Sequence, residues 1–149
     1  MDLSEQHRAF LEKNHGAAMV TLRRDGTPHA VRVGVALVDG KVWSSGTQHR
    51  LRTRFLRRDP RCTLFVFEYG FGYLTLEGTV KILEGPDAPD MNVRLFRTMQ
   101  AGMKPGPAPG NLMWNGKELT RDQFRQAMVD EKRLIYELDV QRAYGPASR

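Results

Sequence analysis

Residues 17–45 read AAMVTLRRDGTPHAVRVGVALVDGKVWSS, and this stretch decides the fold class. Its runs of β-branched and alternating residues are typical of strands, and the pairs Asp25-Gly26 and Asp39-Gly40 separate them. Asp-Gly is a strong hairpin signal because both residues tolerate the positive φ that a tight turn requires. The stretch therefore predicts an antiparallel meander. Its three predicted strands cover residues 17–23, 29–38 and 41–45.

The rest of the chain adds three strands and four short helices. Capping boxes, in which two side chains satisfy free N–H groups at a helix start, are predicted at Asp2–Glu5 and at Thr120–Gln123. The further predicted strands cover residues 61–68, 73–83 and 133–140. The predicted helices cover residues 2–16, 50–58, 90–100 and 120–132. Residues 101–116 hold four glycines and three prolines, which predicts a long loop.

Six short strands joined by turns, with helices at the corners, predict a small antiparallel β-barrel in a mainly β fold. The chain has 149 residues, without repeats or a linker, so we expect one domain over residues 1–149. No apolar run approaches the roughly 20 residues that cross a bilayer. The N-terminus is polar and Cys62 is the only cysteine, which indicates a cytoplasmic protein without an internal disulfide.

The charge of the chain points to an anionic partner. Lys and Arg number 23 against 17 Asp and Glu, for a net charge of +6. A basic protein of this kind attracts nucleic acid, an acidic membrane surface or a polyanionic small molecule.

Residues 50–61, RLRTRFLRRDPR, concentrate that charge, with six arginines and only one acid, Asp59. Arginines at a helix start oppose the helix dipole, but together with the free N–H groups they make a good phosphate receptor. Helical spacing puts Arg52 on one face of the predicted helix and a second group on another face, namely Arg50, Arg54, Arg57 and Arg61. The alternative is a solvated basic face that pairs with Asp59 and Glu68.

The usual catalytic motifs do not occur in the sequence. There is no G-x-S-x-G, Walker loop or H-E-x-x-H, and the four histidines are scattered, so no metal site is predicted. Cys62 lies among apolar neighbours in a predicted strand and is expected in the core. If the protein is an enzyme, its reactive atoms therefore belong to a cofactor.

An aromatic group, YGFGY, is formed by Tyr69, Phe71 and Tyr73 with intervening glycines. Such rings either fill a barrel mouth or a dimer seam, or flank a flat heterocycle.

Four segments of the chain resemble, in order, those of a known group of proteins. They are residues 21–33 (TLRRDGTPHAVRV), 50–66 (RLRTRFLRRDPRCTLFV), 71–82 (FGYLTLEGTVKI) and 122–145 (DQFRQAMVDEKRLIYELDVQRAYG). The group is the pyridoxamine 5′-phosphate oxidase-like split β-barrel family. The resemblance is closest to its actinobacterial branch of flavin/deazaflavin oxidoreductases, which use coenzyme F420.

The resemblance implies a homodimer of six-stranded split barrels with two cofactor sites at the interface. It implies that Arg50, Arg52 and Arg54 hold the phosphate and the glutamate-tail carboxylates of the coenzyme. Ser45 and Thr47 are expected to donate hydroxyls to the phosphate, and Phe71 to lie near the tricyclic ring. Two positions depart from the family pattern: Phe55 replaces an asparagine, and Arg32 stands where many relatives have proline.

The implied activity is an F420-dependent reduction, in which hydride passes from the deazaflavin to an unsaturated or quinone-like small molecule. The product's proton comes from solvent or from Tyr73. The first alternative is an FMN-binding protein of the same fold, and the second is a nucleic-acid or polyanion-binding module. Under the main interpretation, neither nucleic acid nor a membrane is an expected partner. The 101–116 loop is either an apolar lid over the ring or a surface excursion.

Overall fold

A computed structural model describes residues 2–146, in which six strands close into an antiparallel barrel. The barrel strands are β1 (Gly16–Leu22), β2 (Pro28–Val38), β3 (Lys41–Thr47), β4 (Arg61–Phe67), β5 (Tyr73–Leu83) and β8 (Arg133–Tyr144). Two short strands, β6 (Leu112–Trp114) and β7 (Lys117–Leu119), form a separate hairpin. The helices are α1 (Glu5–Lys13), α2 (Leu51–Arg58), α3 (Ala88–Gln100) and α4 (Arg121–Asp130).

The strand order around the barrel is β1-β2-β3-β8-β5-β4, and β4 pairs with β1 to close it. This confirms the predicted six-stranded, mainly β fold and the meander that opens it. The alternation of side chains explains the closure, because every second residue of each strand points inward. In β4, for example, Cys62, Leu64 and Val66 are buried in the main core.

The start of α1 differs from the prediction. Ser4 is the N-cap, and its side chain accepts a hydrogen bond from the His7 N–H at 3.1 Å. The predicted capping box at Asp2–Glu5 is therefore wrong, because the helix begins after Ser4 and the serine side chain caps it. Leu3, which precedes Ser4, packs into the core. The second predicted capping box, Thr120–Gln123, is confirmed at the start of α4.

The end of the predicted 101–116 loop is also wrong, because β6 begins at Leu112. Leu112 is fully buried in a cluster with Val93, Phe124 and Met128. The Gln100 side chain then holds the main chain of Met113 at both its N–H and its carbonyl, at 2.8 and 2.9 Å. Two contacts distant in sequence thus order a segment whose local composition is that of a loop.

Over residues 2–146, no helix has both the length and the apolar character needed to cross a bilayer. In the same range, His, Cys, Asp and Glu side chains nowhere gather in a group of three that could hold a metal ion.

Candidate functional site: an arginine-lined cavity

A cavity of about 220 Å³ lies where β3 leaves the barrel and α2 begins. Four of the described residues that line it are arginines, and none is an acid. The lining comes from β2, β3, the start of α2, α3 and the start of β8. The lining residues are Arg32, Val33, Gly34, Ser45, Arg50, Arg52, Phe96, Met99 and Arg133.

Arg52 is the buried cation of this cavity, with 8% of its surface exposed. Its Nη2 donates to the Ser45 carbonyl at 3.3 Å, and its guanidinium lies 5.7 Å from the centre of the Tyr136 ring. Its Nε is buried and has no hydrogen-bond partner among the described residues. Burial lowers the pKa of the Arg52 guanidinium, but an arginine starts so high that it stays charged at neutral pH.

The start of α2 adds to the positive field around Arg52. Its N-cap residue, Arg50, makes no side-chain cap hydrogen bond, and the first turn carries no acidic residue. The free N–H groups and the positive end of the helix dipole therefore lack a negative partner from the helix itself.

A network of hydroxyls holds the ring beneath Arg52 in place. Thr53 Oγ1 donates its hydrogen to the Thr47 carbonyl at 2.7 Å. Because that hydrogen is used, the hydrogen bond between Thr53 and the fully buried Tyr136 must be donated by the tyrosine. Gly46 makes this arrangement possible, since a Cβ there would collide with the Tyr136 hydroxyl.

Ser45 lines the cavity, but its hydroxyl hydrogen is engaged elsewhere. It donates to Asn92 Oδ1 at 2.5 Å. The Asn92 amide cannot reverse its role, because its Nδ2 donates to the Ala88 carbonyl at 3.0 Å. Ser45 therefore presents only acceptor atoms to the cavity, one of which already receives Arg52.

Arg133 is a cavity residue that the sequence interpretation missed. Its guanidinium donates to Glu131 Oε1 at 2.9 and 3.0 Å and lies 5.0 Å from the centre of the Trp114 ring. The Trp114 indole N–H donates to the other oxygen of Glu131 at 3.0 Å. No local motif marks Arg133, because it reaches the cavity only through the pairing of β8 with β3.

Arg32 is the other cavity arginine outside the predicted phosphate set. It is exposed on the outer face of β2, and its guanidinium lies 5.9 Å from the centre of the Phe67 ring. The only signal for Arg32 in the sequence is its departure from the proline of many relatives.

Three of the six arginines in residues 50–61 have partners outside the cavity. Arg57 makes two hydrogen bonds to Glu84, at 2.8 and 3.1 Å. Arg61 pairs with Asp59 at 2.8 Å, as the basic-face alternative predicted. Arg58 donates to the Leu22 carbonyl at 2.6 Å. Glu68, the other expected acid, instead accepts the Gly72 N–H.

The remaining predicted site residues lie apart from the cavity. Arg54 is exposed on α2 and does not line the cavity. Thr47 is half-buried at the end of β3 and contributes its carbonyl to the Thr53 network. Phe71 is 99% exposed in the turn between β4 and β5. The structure thus brings together Ser45, Arg50 and Arg52, but not the other three.

Tyr73 belongs to an aromatic row on the outer face of the barrel. Its ring stacks on Phe65 with the centroids 5.0 Å apart, and Phe65 lies 6.3 Å from Phe67. Because Arg32 lies over Phe67, the row begins at the edge of the arginine-lined cavity. We call Phe65, Phe67 and Tyr73 the aromatic row.

Cys62 offers no chemistry, as predicted. It is buried in the barrel core, and burial raises the pKa of its thiol to about 12. The thiol therefore stays protonated at neutral pH and cannot act as a nucleophile.

A larger cavity of about 780 Å³ lies beside α1 and the middle of β8, but its charge is balanced. Its lining cations are Arg8, Lys41 and Lys81, and its lining acids are Asp2, Glu137 and Asp139. It also lacks a residue like Arg52. Among the described residues of its lining, no buried side-chain atom is without a hydrogen-bond partner. The smaller cavity is therefore the better candidate site.

Comparison with known proteins gives a family and a set of similar folds. The family model described as pyridoxamine 5′-phosphate oxidase matches residues 3–145. A conserved hypothetical protein of Mycobacterium tuberculosis is 20% identical, with a TM-score of 0.70, over 96% of this chain and 84% of that one. An F420 reductase is 18% identical, with a TM-score of 0.67, over 95% of this chain and 98% of that one. A haem storage protein of Vibrio cholerae is 12% identical, with a TM-score of 0.64, over 97% of this chain and 95% of that one.

Proposed function

Because the chain belongs to the pyridoxamine 5′-phosphate oxidase family, we propose that it is an F420-dependent oxidoreductase whose arginine-lined cavity holds the coenzyme's phosphate. The family match confirms the family expected from the sequence. The F420 branch is supported by the resemblance of the four sequence segments and by the likeness of the fold to an F420 reductase.

The observation that carries the proposal is the buried, incompletely bonded guanidinium of Arg52. A buried charge without a counter-ion is costly, and the described lining of this cavity contains no carboxylate to compensate it. A phosphate supplies both the missing charge and acceptor oxygens for guanidinium N–H groups. Arg50, at the mouth of the same cavity, would add a second fork.

The size of the cavity supports binding of the coenzyme's phosphate end alone. Pockets that enclose a whole cofactor or drug-sized ligand measure about 300–1,000 Å³, and this cavity measures about 220 Å³. The flat ring would then lie outside it, against the adjoining aromatic row. When bound in its reduced form, the deazaflavin supplies a hydride to an electron-poor double bond or quinone. The part of the protein is to anchor the phosphate and cover one ring face.

We also propose that two copies of the chain associate through the outer face that carries the aromatic row. Phe65 and Tyr144 are partly exposed there, and Tyr69 and Phe71 at the adjoining turn are fully exposed. Large exposed aromatic surfaces of this kind mark interaction sites. Association would cover the ring site, which a single chain leaves open on one side.

The test is a titration of the purified protein with coenzyme F420, followed by quenching of the coenzyme's fluorescence. We expect saturable binding at micromolar coenzyme, and Arg52→Gln should weaken it by about tenfold or more, because a charge-assisted hydrogen bond is lost. Arg57→Gln is the matched control, since Arg57 lies on the same helix but pairs with Glu84. Arg50→Gln serves as a second variant, because the exposed Arg50 can be changed without disturbing the core.

Three outcomes would overturn the proposal: the first two its coenzyme, and the third the role of the cavity. Purified protein with the yellow absorbance of FMN, together with no F420 binding, would favour the FMN alternative. Nucleic-acid binding that survives about 200 mM salt, without coenzyme binding, would favour the polyanion module. Equal loss of F420 affinity in Arg57→Gln and Arg52→Gln would mean that the helix charge, not the cavity, attracts the coenzyme.

A further inference from the structure

We propose that Arg32 makes the cavity selective for ligands that carry a second anionic group beside the phosphate. The second group is the outer phosphate of a diphosphate or a carboxylate close to a phosphate. This inference rests on the proposed function, because it concerns the same cavity, and it assigns Arg32 a role in specificity.

The charge of the cavity exceeds what one phosphate neutralises. Of the four lining arginines, Arg133 pairs with Glu131, whereas Arg32, Arg50 and Arg52 have no carboxylate partner within residues 2–146. A phosphate monoester carries about 1.5–2 negative charges at neutral pH. One such group leaves an excess of about one positive charge, which a second anionic group would balance.

The volume of the cavity leads to the same conclusion. Its 220 Å³ corresponds to about seven water molecules, at roughly 30 Å³ each in the liquid. A phosphate has four oxygen atoms of comparable size, and a diphosphate has seven. One phosphate therefore leaves space in a cavity whose described lining contains four arginines.

The position of Arg32 suits it to the outer of the two groups. Arg32 and Gly34 lie on the same outward face of β2, since side chains alternate along a strand. Gly34 places no side chain between Arg32 and the cavity, and a Cβ there would come within 2.8 Å of the Met99 sulfur. In β1 the residue opposite Arg32 is Ala18, whose methyl group leaves the guanidinium room to turn.

The competing explanation is that Arg32 serves only to cover the Phe67 ring. An exposed cation–π contact stabilises a fold only slightly and does not distinguish one anion from another. The two explanations therefore differ in anion selectivity, which is measurable without any coenzyme.

The experiment is isothermal titration calorimetry with inorganic phosphate, pyrophosphate and 2-phosphoglycolate at constant low salt. We expect the unaltered protein to bind at least one of the two doubly anionic probes about tenfold more tightly than phosphate. Arg32→Gln should remove about tenfold of that affinity while changing phosphate binding by less than about twofold. Arg57→Gln, with the same loss of charge outside the cavity, should leave all three affinities nearly unchanged.

The result also identifies the second group. Preference for pyrophosphate alone supports a diphosphate, and preference for 2-phosphoglycolate alone supports a phosphate with a neighbouring carboxylate. Preference for both probes supports a subsite that accepts either second group. The inference would be overturned if Arg32→Gln weakened the affinity for phosphate as much as the affinities for pyrophosphate and 2-phosphoglycolate. It would also be overturned if the substitution changed none of the three affinities. If the unaltered protein does not bind F420 but still prefers probes with two anionic groups, the proposed function is wrong and this inference stands.

Discussion

Ser45 shows that a hydroxyl can line an anion cavity without being able to donate to the anion. Its hydrogen belongs to Asn92, whose own amide is held by the Ala88 carbonyl. The hydroxyl is therefore a structural tie between β3 and α3, although the sequence predicted a phosphate donor at this position. Cavity anions would be held by guanidinium groups instead.

We predict that Ser45→Ala lowers stability more than it lowers anion affinity. The substitution leaves the buried Asn92 oxygen without a donor, which costs about 1–3 kcal/mol. Denaturant unfolding should show that loss, while the dissociation constant for phosphate stays within about threefold. A tenfold weaker phosphate affinity at unchanged stability would contradict this assignment.

Arg52 illustrates a second limit of prediction from the sequence at the scale of one residue. Helical spacing placed it on a different face from Arg54 and Arg57, and the structure agrees, since Arg52 is buried and those two are exposed. The same spacing separated Arg52 from Arg50, but both line the cavity. Spacing alone does not say which face of α2 meets the barrel. The buried face is the one with Arg52, Thr53 and Leu56. The arginine that looked isolated in the sequence is the one enclosed by the cavity.

At the scale of elements, the β6–β7 hairpin helps to fix the position of the Arg133 side chain. Trp114 in β6 donates to Glu131, and Glu131 receives Arg133 at the start of β8. The Phe96 and Trp114 rings meet edge to face, 5.1 Å apart, so α3 supports the same cluster. The hairpin therefore bears on the cavity through Arg133, and none of the described residues that line the cavity comes from the hairpin itself.

We predict that Gln100→Ala loosens this hairpin and weakens phosphate binding by a few-fold. The substitution removes both side-chain hydrogen bonds to Met113, at a cost of about 1–3 kcal/mol. Hydrogen exchange at the Met113 amide should accelerate, and denaturant unfolding should shift to lower concentration.

Gln126→Ala is the control for this substitution, because Gln126 is exposed on α4 and its side chain, within residues 2–146, bonds only to the neighbouring Asp130. If the Met113 amide exchanges its hydrogen as slowly in Gln100→Ala as in the unaltered protein, the prediction is wrong, and the burial of Leu112 is enough to hold the hairpin.

At the scale of the whole molecule, the barrel has one covered and one uncovered outer face. Helix α3 packs against Ala36, Trp43 and Ile135 on one side. The aromatic row lies on β4 and at the start of β5, whereas α3 reaches β5 only near Leu83, at its other end. An uncovered face of this composition is the reason for the proposed dimer.

We predict that Phe65→Asp converts a dimer to a monomer and reduces F420 affinity by about tenfold or more, because a charge at a packed aromatic contact must be desolvated. Light scattering after size-exclusion chromatography measures the mass. Val129→Asp is the control, since Val129 is an exposed apolar residue on α4. An unaltered protein that is monomeric at high micromolar concentration would rule out the dimer.

Local patterns were sufficient for most of the architecture. Strand alternation, the two Asp-Gly turns and the Thr120–Gln123 capping box depend on neighbouring residues, and each was confirmed. The burial of Cys62 followed from its apolar neighbours in the same way. The β6 strand was missed because its order comes from Leu112 and Gln100 contacts that no local signal reveals.

The amino-acid sequence alone therefore determined a six-stranded antiparallel barrel, its family and a strongly basic segment at the start of α2. Which arginines share a cavity was decided by the pairing of β8 with β3, which carries Arg133 toward Arg52. The packing of α3 on the barrel engages the Ser45 hydroxyl with Asn92, and the approach of α2 to the end of β5 pairs Arg57 with Glu84. Periodicity and turn chemistry act over a few residues, whereas a binding site depends on contacts between strands and helices far apart in the chain.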